Sequence, residues 1–207
     1  RFAAKVRWLF AQTVESKTLL DLPYEEAQPG SFGAGLHRSV LLSLFLRELD
    51  AEKIPVHWGT PISKLHGRSL QDQAGNQHGP FDLIVLADGA RSSGRDHIPR
   101  LRGRADKYPW GALWWLGQDH DEVFDPAELY QIVDGTRYLC GFLPTGRAFG
   151  QDLTGAMHFS LFWSLNLADE EKWRKTPLDD WKAEVLRLMP RAASMLDSIE
   201  SHDELTV

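Results

Sequence analysis

Cysteine is nearly absent: Cys140 is the single thiol in 207 residues. One cysteine excludes an intramolecular disulfide framework, and no Cys/His spacing suits a zinc site. Positive charge is also in deficit, with 23 Lys and Arg against 29 Asp and Glu and a formal net charge of −6. The one basic cluster, Arg100-Leu101-Arg102-Gly103-Arg104, is too small for the positive face that binding a nucleic-acid backbone requires. No apolar run is long enough to span a bilayer, and no stretch reads as a signal peptide. A reducing, cytoplasmic compartment is the expectation. A strand–Gly-x-Gly-x-x-Gly–helix fingerprint is missing too. The glycine-rich stretch 30–35, GSFGAG, has the wrong spacing and no apolar strand before it. No carboxylate pair or nucleophile–base pair stands out that would support hydrolysis.

Against these absences, the composition is that of a globular protein, with 43% hydrophobic and 25% charged residues. The length allows one large or two small domains with a real core. The most informative stretch is 81–95, FDLIVLADGARSSGR. Leu83, Ile84, Val85, Leu86 and Ala87 form a short, partly β-branched run, which predicts a buried strand. Asp88-Gly89 breaks it, Gly89 being free to take a positive φ or to let a ligand come close. A short helical turn is expected over 90–95. A strand that ends in such a turn is where open α/β sheets place ligands. Asp88, Arg91 and Arg95 fall within a turn of one another. They read either as an Asp-Gly surface turn held by a salt bridge, or as a polar site for a phosphate or a ribitol, since arginine forks suit phosphate oxygens.

Upstream, 1–22 is ambiguous between helix and strand, and 23–35 reads as loop. The clearest helix is 36–52, with Val40, Leu41, Leu44, Phe45 and Leu49 at helical spacing and Ser39 available to cap it. Arg38, beside that first turn, reads as a solvated or a ligand-binding residue. A strand is expected at 54–58 and a β-meander over 62–79, with a turn at Ala74-Gly75-Asn76.

The character changes after residue 98. Alternation over 108–118 puts Trp110, Ala112, Trp114 and Leu116 on one face and Gly111, Leu113 and Trp115 on the other. Both faces are apolar, so this strand should be covered on both sides. Further strands are expected at 129–133, 138–143 and 156–165, joined in part by a hairpin at Asp134-Gly135. The resulting antiparallel sheet would have Trp110, Trp114, Tyr138, Phe142, Phe159 and Trp163 available to one side. These aromatics are either sheet core or the wall of a flat substrate pocket, with Trp110, Trp114, Phe142 and Trp163 as its candidates. Amphipathic helices are expected over 167–199, and 199–207 reads as the run-in to another strand.

The segment 82–95 resembles the DG motif of the class A flavoprotein monooxygenases, the para-hydroxybenzoate hydroxylase-like family. It matches at Asp82, Ala87, Asp88, Gly89, Arg91, Ser92 and Arg95. It departs at Leu86, where the family usually has Gly, and at Gly94, where an apolar residue is common. LHRSVLLSLFLREL, which holds Arg38, is similar to the family's H-R-x-x-L-x-x-x-L segment. The resemblance implies an α/β (α+β) fold: part of an FAD-binding Rossmann-like domain over 36–97, then an antiparallel-sheet substrate domain with C-terminal helices over 98–207. Residues 1–35 would be a sheet and loop segment associated with the substrate domain.

By the same resemblance Arg38 reaches the flavin. The backbone near Ile62 contacts the adenosine half of FAD. Asp88, Gly89, Arg91 and Arg95 order the pyrophosphate region near the path of NAD(P)H, and the sheet roofs the substrate. The implied activity is FAD-dependent, NAD(P)H-using hydroxylation of an aromatic or similar small organic substrate through a flavin C4a-hydroperoxide. A flavin-dependent dehydrogenase or halogenase-like relative is an alternative, as is a non-catalytic small-molecule-binding or interaction domain. Two family landmarks, the Gly-x-Gly-x-x-Gly unit and a Gly-Asp-Ala-Ala-His segment, are not in this sequence. The expectation is therefore a central piece of a longer protein, which alone binds FAD weakly or not at all.

Overall fold

A computed structural model describes residues 2–89, 92, 94–98, 108–147 and 156–207. In chain order the strands and helices begin with β1 (Ala4–Val6), β2 (Trp8–Thr13), β3 (Thr18–Pro23), α1 (Tyr24–Ala27), β4 (Gly33–Gly35) and α2 (Arg38–Ala51). A meander follows, of β5 (Ile62–His66), β6 (Ser69–Asp72) and β7 (Gln77–His78). The strands β8 (Trp110–Gln118), β9 (Glu128–Asp134), β10 (Tyr138–Gly146) and β11 (His158–Asn166) come next, then α3 (Glu170–Lys175), α4 (Leu178–Leu188) and α5 (Ala193–Asp197). The chain divides into two compact units, 1–47 with 108–207 and 48–107, so α2 is divided after Arg47.

The first unit is built on a six-stranded sheet of order β3-β2-β9-β10-β11-β8. Every pairing is antiparallel except β2 with β9, which is parallel. The predicted run-in near the C-terminus is a single bridge: Thr206 pairs with Trp114 through N···O distances of 2.8 and 2.9 Å. Strand β11 shows the governing period of two. Phe159, Leu161, Trp163 and Leu165 are buried, and the residues between them are half-exposed. Register sets Trp163 opposite Cys140 and Leu113, and Leu161 opposite Phe142 and Trp115. That face carries the core.

The helices cover it. Trp173 of α3, Trp181, Val185 and Leu188 of α4, and Met195 and Leu196 of α5 join the same buried cluster. Each such side chain contributes roughly 1.5–3 kcal/mol on burial. Helix α4 starts with Asp179 and Asp180 and carries Arg187 in its last turn, an order that suits the helix dipole. Arg187 donates to Asp134 at 2.7 Å and ties α4 to the end of β9. Beyond α4, the Arg191 guanidinium lies 4.6 Å from the Phe124 ring centre and 4.1 Å from that of Tyr130.

Three expectations for this unit are corrected. Strand β8 is covered on one face only: Trp110 is 37% and Trp114 41% exposed. The stretch 23–35 is not all loop, since it holds α1 and β4, the latter pairing with β1. Ser39 does not cap α2. The preceding His37 does, its carbonyl accepting from Val40 and Leu41 and its ring Nδ1 from the Ser39 N–H.

The second unit contains the expected meander, β5-β6-β7. Its turn is organised by buried Asp72, which accepts from the Asn76 backbone N–H at 2.8 Å and its amide at 3.0 Å. His78 Nε2 lies 3.0 Å from the same carboxylate. The strand expected at 54–58 is absent, and 81–87 is not a buried strand: Leu83 is 79% and Val85 74% exposed. A strand needs a neighbour for its backbone N–H and C=O groups, and among the described residues none pairs with either segment. Within α2 the helical spacing holds, yet Val40 alone is buried, while Leu41 and Phe45 are exposed. Among the described residues no helix is long and apolar enough to cross a membrane, and no cluster of His, Cys, Asp and Glu could hold a metal ion.

Candidate functional site

Helix α2 begins directly after β4, so Arg38 stands in its first turn, and its side chain is exposed. The ring of His37 sits 2.6 Å from the Ser39 hydroxyl and fixes this helix start. A guanidinium held in the first turn of a 14-residue helix is a donor set suited to phosphate oxygens.

In the second unit, Arg68 anchors the 81–95 segment by pairing with Asp82 and donating from Nε to the Phe81 carbonyl at 2.9 Å. Beyond it, Ile84 and Leu86 are more sheltered than Leu83 and Val85. Asp88 and Ile62, predicted separately, line one groove of about 170 Å³ together with Leu65, Leu70, Ile84 and Leu86. Asp88 accepts from the Gly94 N–H at 3.4 Å. The Ser92 hydroxyl holds its carboxyl below the usual carboxylate range, with the Gly94 N–H and the Arg95 charge acting in the same direction. Ser92 donates its own N–H to the Gly89 carbonyl at 3.1 Å and accepts from the Arg95 N–H at 3.3 Å. Gly89 has a φ of +81°, and nothing lies within 4 Å of where a Cβ would stand. Arg91 lies outside the described residues.

The two departures from the DG pattern meet in space. A Cβ on Gly94 would lie 3.0 Å from Leu86 Cδ2 and 3.3 Å from Cδ1. In this chain the Leu86 side chain occupies the space that a side chain at 94 would need.

The four aromatic pocket candidates do not share a wall. Phe142 and Trp163 point into the helix-covered core, at 0% and 2% exposure. Trp110 and Trp114 stand on the opposite face, where Phe162 faces Trp114 across the ladder with ring centres 4.9 Å apart. The expectation that all lie to one side is therefore corrected by register. Trp110, Trp114 and Phe162 line a groove of about 680 Å³ on the open face. Trp110 and Trp163 line a second cavity of about 420 Å³ at the end of the sheet, and Phe142 lines neither. Tyr138, named with the sheet aromatics but not among the four candidates, lines this second cavity, as do Trp173 and Trp181, which sequence reasoning passed over as pocket residues. Their spacing marks them as helix or strand core, so no local signal separates a cavity wall from packing. His158 is another: its Nδ1 is buried with no partner among the described residues. Burial pushes its pKa below the usual histidine value, and the nearby His37 and Arg147 charges add to the effect. Cys140 is no nucleophile, since burial pushes its thiol up to about 12.

No protein-family model matches the chain, and no curated protein matches it in sequence. Solved structures do. PqsL, a probable FAD-dependent monooxygenase from Pseudomonas aeruginosa, superposes over 100% of this chain and 56% of its own, with TM-score 0.77 and 14% identity. The 2-methyl-3-hydroxypyridine-5-carboxylic acid oxygenase covers 95% of this chain with 49% of its own, at TM-score 0.68 and 15% identity. HpxO of Klebsiella pneumoniae, solved with FAD, covers 96% of this chain with 51% of its own, at TM-score 0.66 and 13% identity. This chain has the fold of part of an FAD-dependent monooxygenase. It spans about half the length of the structures it matches. PqsL has been solved with 2-aminobenzoylacetate and HpxO with uric acid, so these monooxygenases take small organic molecules.

Proposed function

We propose that this chain is the central portion of an FAD-dependent, NAD(P)H-using monooxygenase that hydroxylates an aromatic or similar small organic substrate. The observation that carries the reading is the match of the whole chain to PqsL at TM-score 0.77, joined to a DG-like turn that Asp88 and Ser92 hold in place. The residues present fit the cofactor. Arg38 offers a guanidinium in an exposed first turn, and Gly89 leaves its backbone open to close approach. When bound, FAD reduced by NAD(P)H activates O₂ so that one oxygen atom reaches the substrate and the other leaves as water.

The chain's own residues bind and orient. Arg38 neutralises charge on the flavin side of the cofactor. Asp88 and Ser92 fix the turn that presents Gly89 and Arg95 to the pyrophosphate, with Arg91 as a further proposed contact, while Ile62 packs near the adenosine half. The open face of the sheet takes the substrate, with Trp114 and Phe162 as its apolar floor and Trp110 at its margin. Phe142 and Trp163 support that floor from the core side.

The test is expression from the source locus at the length of the matched structures. Such a protein should purify yellow, oxidise NAD(P)H and do so faster when a suitable aromatic compound is bound. Arg38→Ala should weaken FAD retention by at least about tenfold, the scale of a charge-assisted hydrogen bond. A folded protein of that length that holds no flavin, and takes none up from solution, would overturn the reading.

A further inference from the structure

We propose that the groove on the open face of the sheet binds a small aromatic carboxylate. Calling that ligand the substrate rests on the proposed function, whereas the binding is a property of the sheet unit alone. Register builds the groove. Trp110 pairs with Asn166, Ala112 with Ser164 and Trp114 with Phe162. Residues two apart on a strand share a face, so these pairs stand as successive rows on the open face. The two tryptophans are about 13 Å apart along β8, and the row between them is small. The floor continues onto β10, where the Leu139 N–H donates to the Ser164 hydroxyl at 2.8 Å. The groove measures about 680 Å³, within the range of small-molecule pockets. Trp110 and Trp114 both reach solvent, so a flat ring laid on Ala112 meets aromatic side chains.

Arg137 decides the charge of the ligand. Among the described residues it is the one charged side chain that lines the groove. It stands at the hairpin between β9 and β10, where its backbone N–H donates to the Asp134 carbonyl at 3.0 Å. The acid of that hairpin is already committed, since the Asp134 carboxylate accepts from Arg187 at 2.7 Å. Arg137 also lines the adjoining cavity, whose rim holds Asp169, Asp180 and Glu184. None of these pairs with it: the Arg137 guanidinium makes no ion pair and no hydrogen bond among the described residues. A free guanidinium beside an aromatic floor fits a ring that carries a carboxylate, because the planar fork donates two parallel hydrogen bonds to one carboxylate. A neutral ring leaves the fork empty, and a cationic ring meets repulsion there.

The experiment titrates benzoate into the ¹⁵N-labelled 207-residue chain and follows the indole N–H resonances, with benzamide as the neutral comparator. The Trp110 and Trp114 resonances should shift and saturate, while those of Trp58 and Trp173 stay in place. Benzamide should need at least about tenfold more ligand for the same shift. Arg137→Gln, at an exposed position, should weaken benzoate about tenfold and leave benzamide unchanged. No flavin enters the titration, so its failure leaves the monooxygenase reading to its own test, and a full-length protein without flavin leaves this result intact. The proposal is overturned if benzoate moves neither resonance at millimolar concentration, if benzamide binds as well, or if Arg137→Gln leaves benzoate binding unchanged.

Discussion

Leu86 and Gly94 divide a space that holds one side chain, not two. Gly94→Leu alone should force Leu86 aside and lower stability by about 1–3 kcal/mol, the usual cost of overpacking. The exchange variant Leu86→Gly with Gly94→Leu should recover most of that loss. A thermodynamic cycle from urea unfolding would read the coupling directly, and additive effects of the two substitutions would refute the exchange. A second residue-scale prediction concerns acid. Hydrogen bonds from His78 and then Asn76 lower the Asp72 pKa to about 2, from the ordinary 3.8 of an aspartate. The unfolded chain therefore binds this proton more readily than the folded one. Asp72 stabilises the meander fully above about pH 4, and that contribution disappears as pH falls through about 2. Asp72→Asn should flatten the stability–pH curve across that window, and a carboxyl titration by NMR near pH 4 in the folded protein would contradict the assignment.

For the elements, strand parity separates structure from binding. Phe142 and Trp114 are both aromatic strand residues, yet Phe142→Ala should cost about 3–5 kcal/mol because it empties a closed core. Trp114→Ala, on a side chain 41% exposed, should cost much less stability and, on the proposed reading, appear instead as a raised KM in the protein expressed at the length of its structural neighbours. Chemical denaturation and substrate titration of the two variants would show whether the open face takes the substrate. This contrast also marks what could be read from the chain alone. Periods of two and of 3.6 are local, so the strands after Tyr108 and the helix that starts at Arg38 are legible in the residues. The phase of one strand against the next is not local. It follows from pairings such as Trp163 with Leu113 and the parallel ladder of β2 with β9. Hence Trp110 and Trp163 look alike in sequence and end on opposite faces. The Asp88 turn was legible because its hydrogen bonds close within six residues. The cap of α2 is not legible at Ser39 because a histidine ring, not the usual hydroxyl, accepts from the Ser39 N–H at the helix start.

At the scale of the whole molecule, the apolar surface left open is telling. Leu41, Leu42 and Phe45 on α2, and Leu83 and Val85 in the segment before Asp88, are between 43% and 79% exposed. Exposed apolar side chains in such numbers mark surfaces that bury themselves elsewhere, and the matched structures are about twice as long as this chain. A dinucleotide cofactor draws its affinity from groups spread along its whole length, and on the proposed reading this chain would supply only part of them. The 207-residue chain should therefore bind FAD at least about a hundredfold more weakly than the protein expressed at the length of its structural neighbours, a difference of about 2.7 kcal/mol. Quenching of FAD fluorescence on titration with each protein measures both affinities. The two readings of the missing affinity then part. If added sequence restores binding and Arg38→Ala removes it again, the first turn of α2 is a cofactor contact and the open apolar surfaces are where the rest of the fold lies. If the short chain binds FAD as tightly as the long one, the cofactor is held by these residues alone and the exposed stripe on α2 needs another explanation.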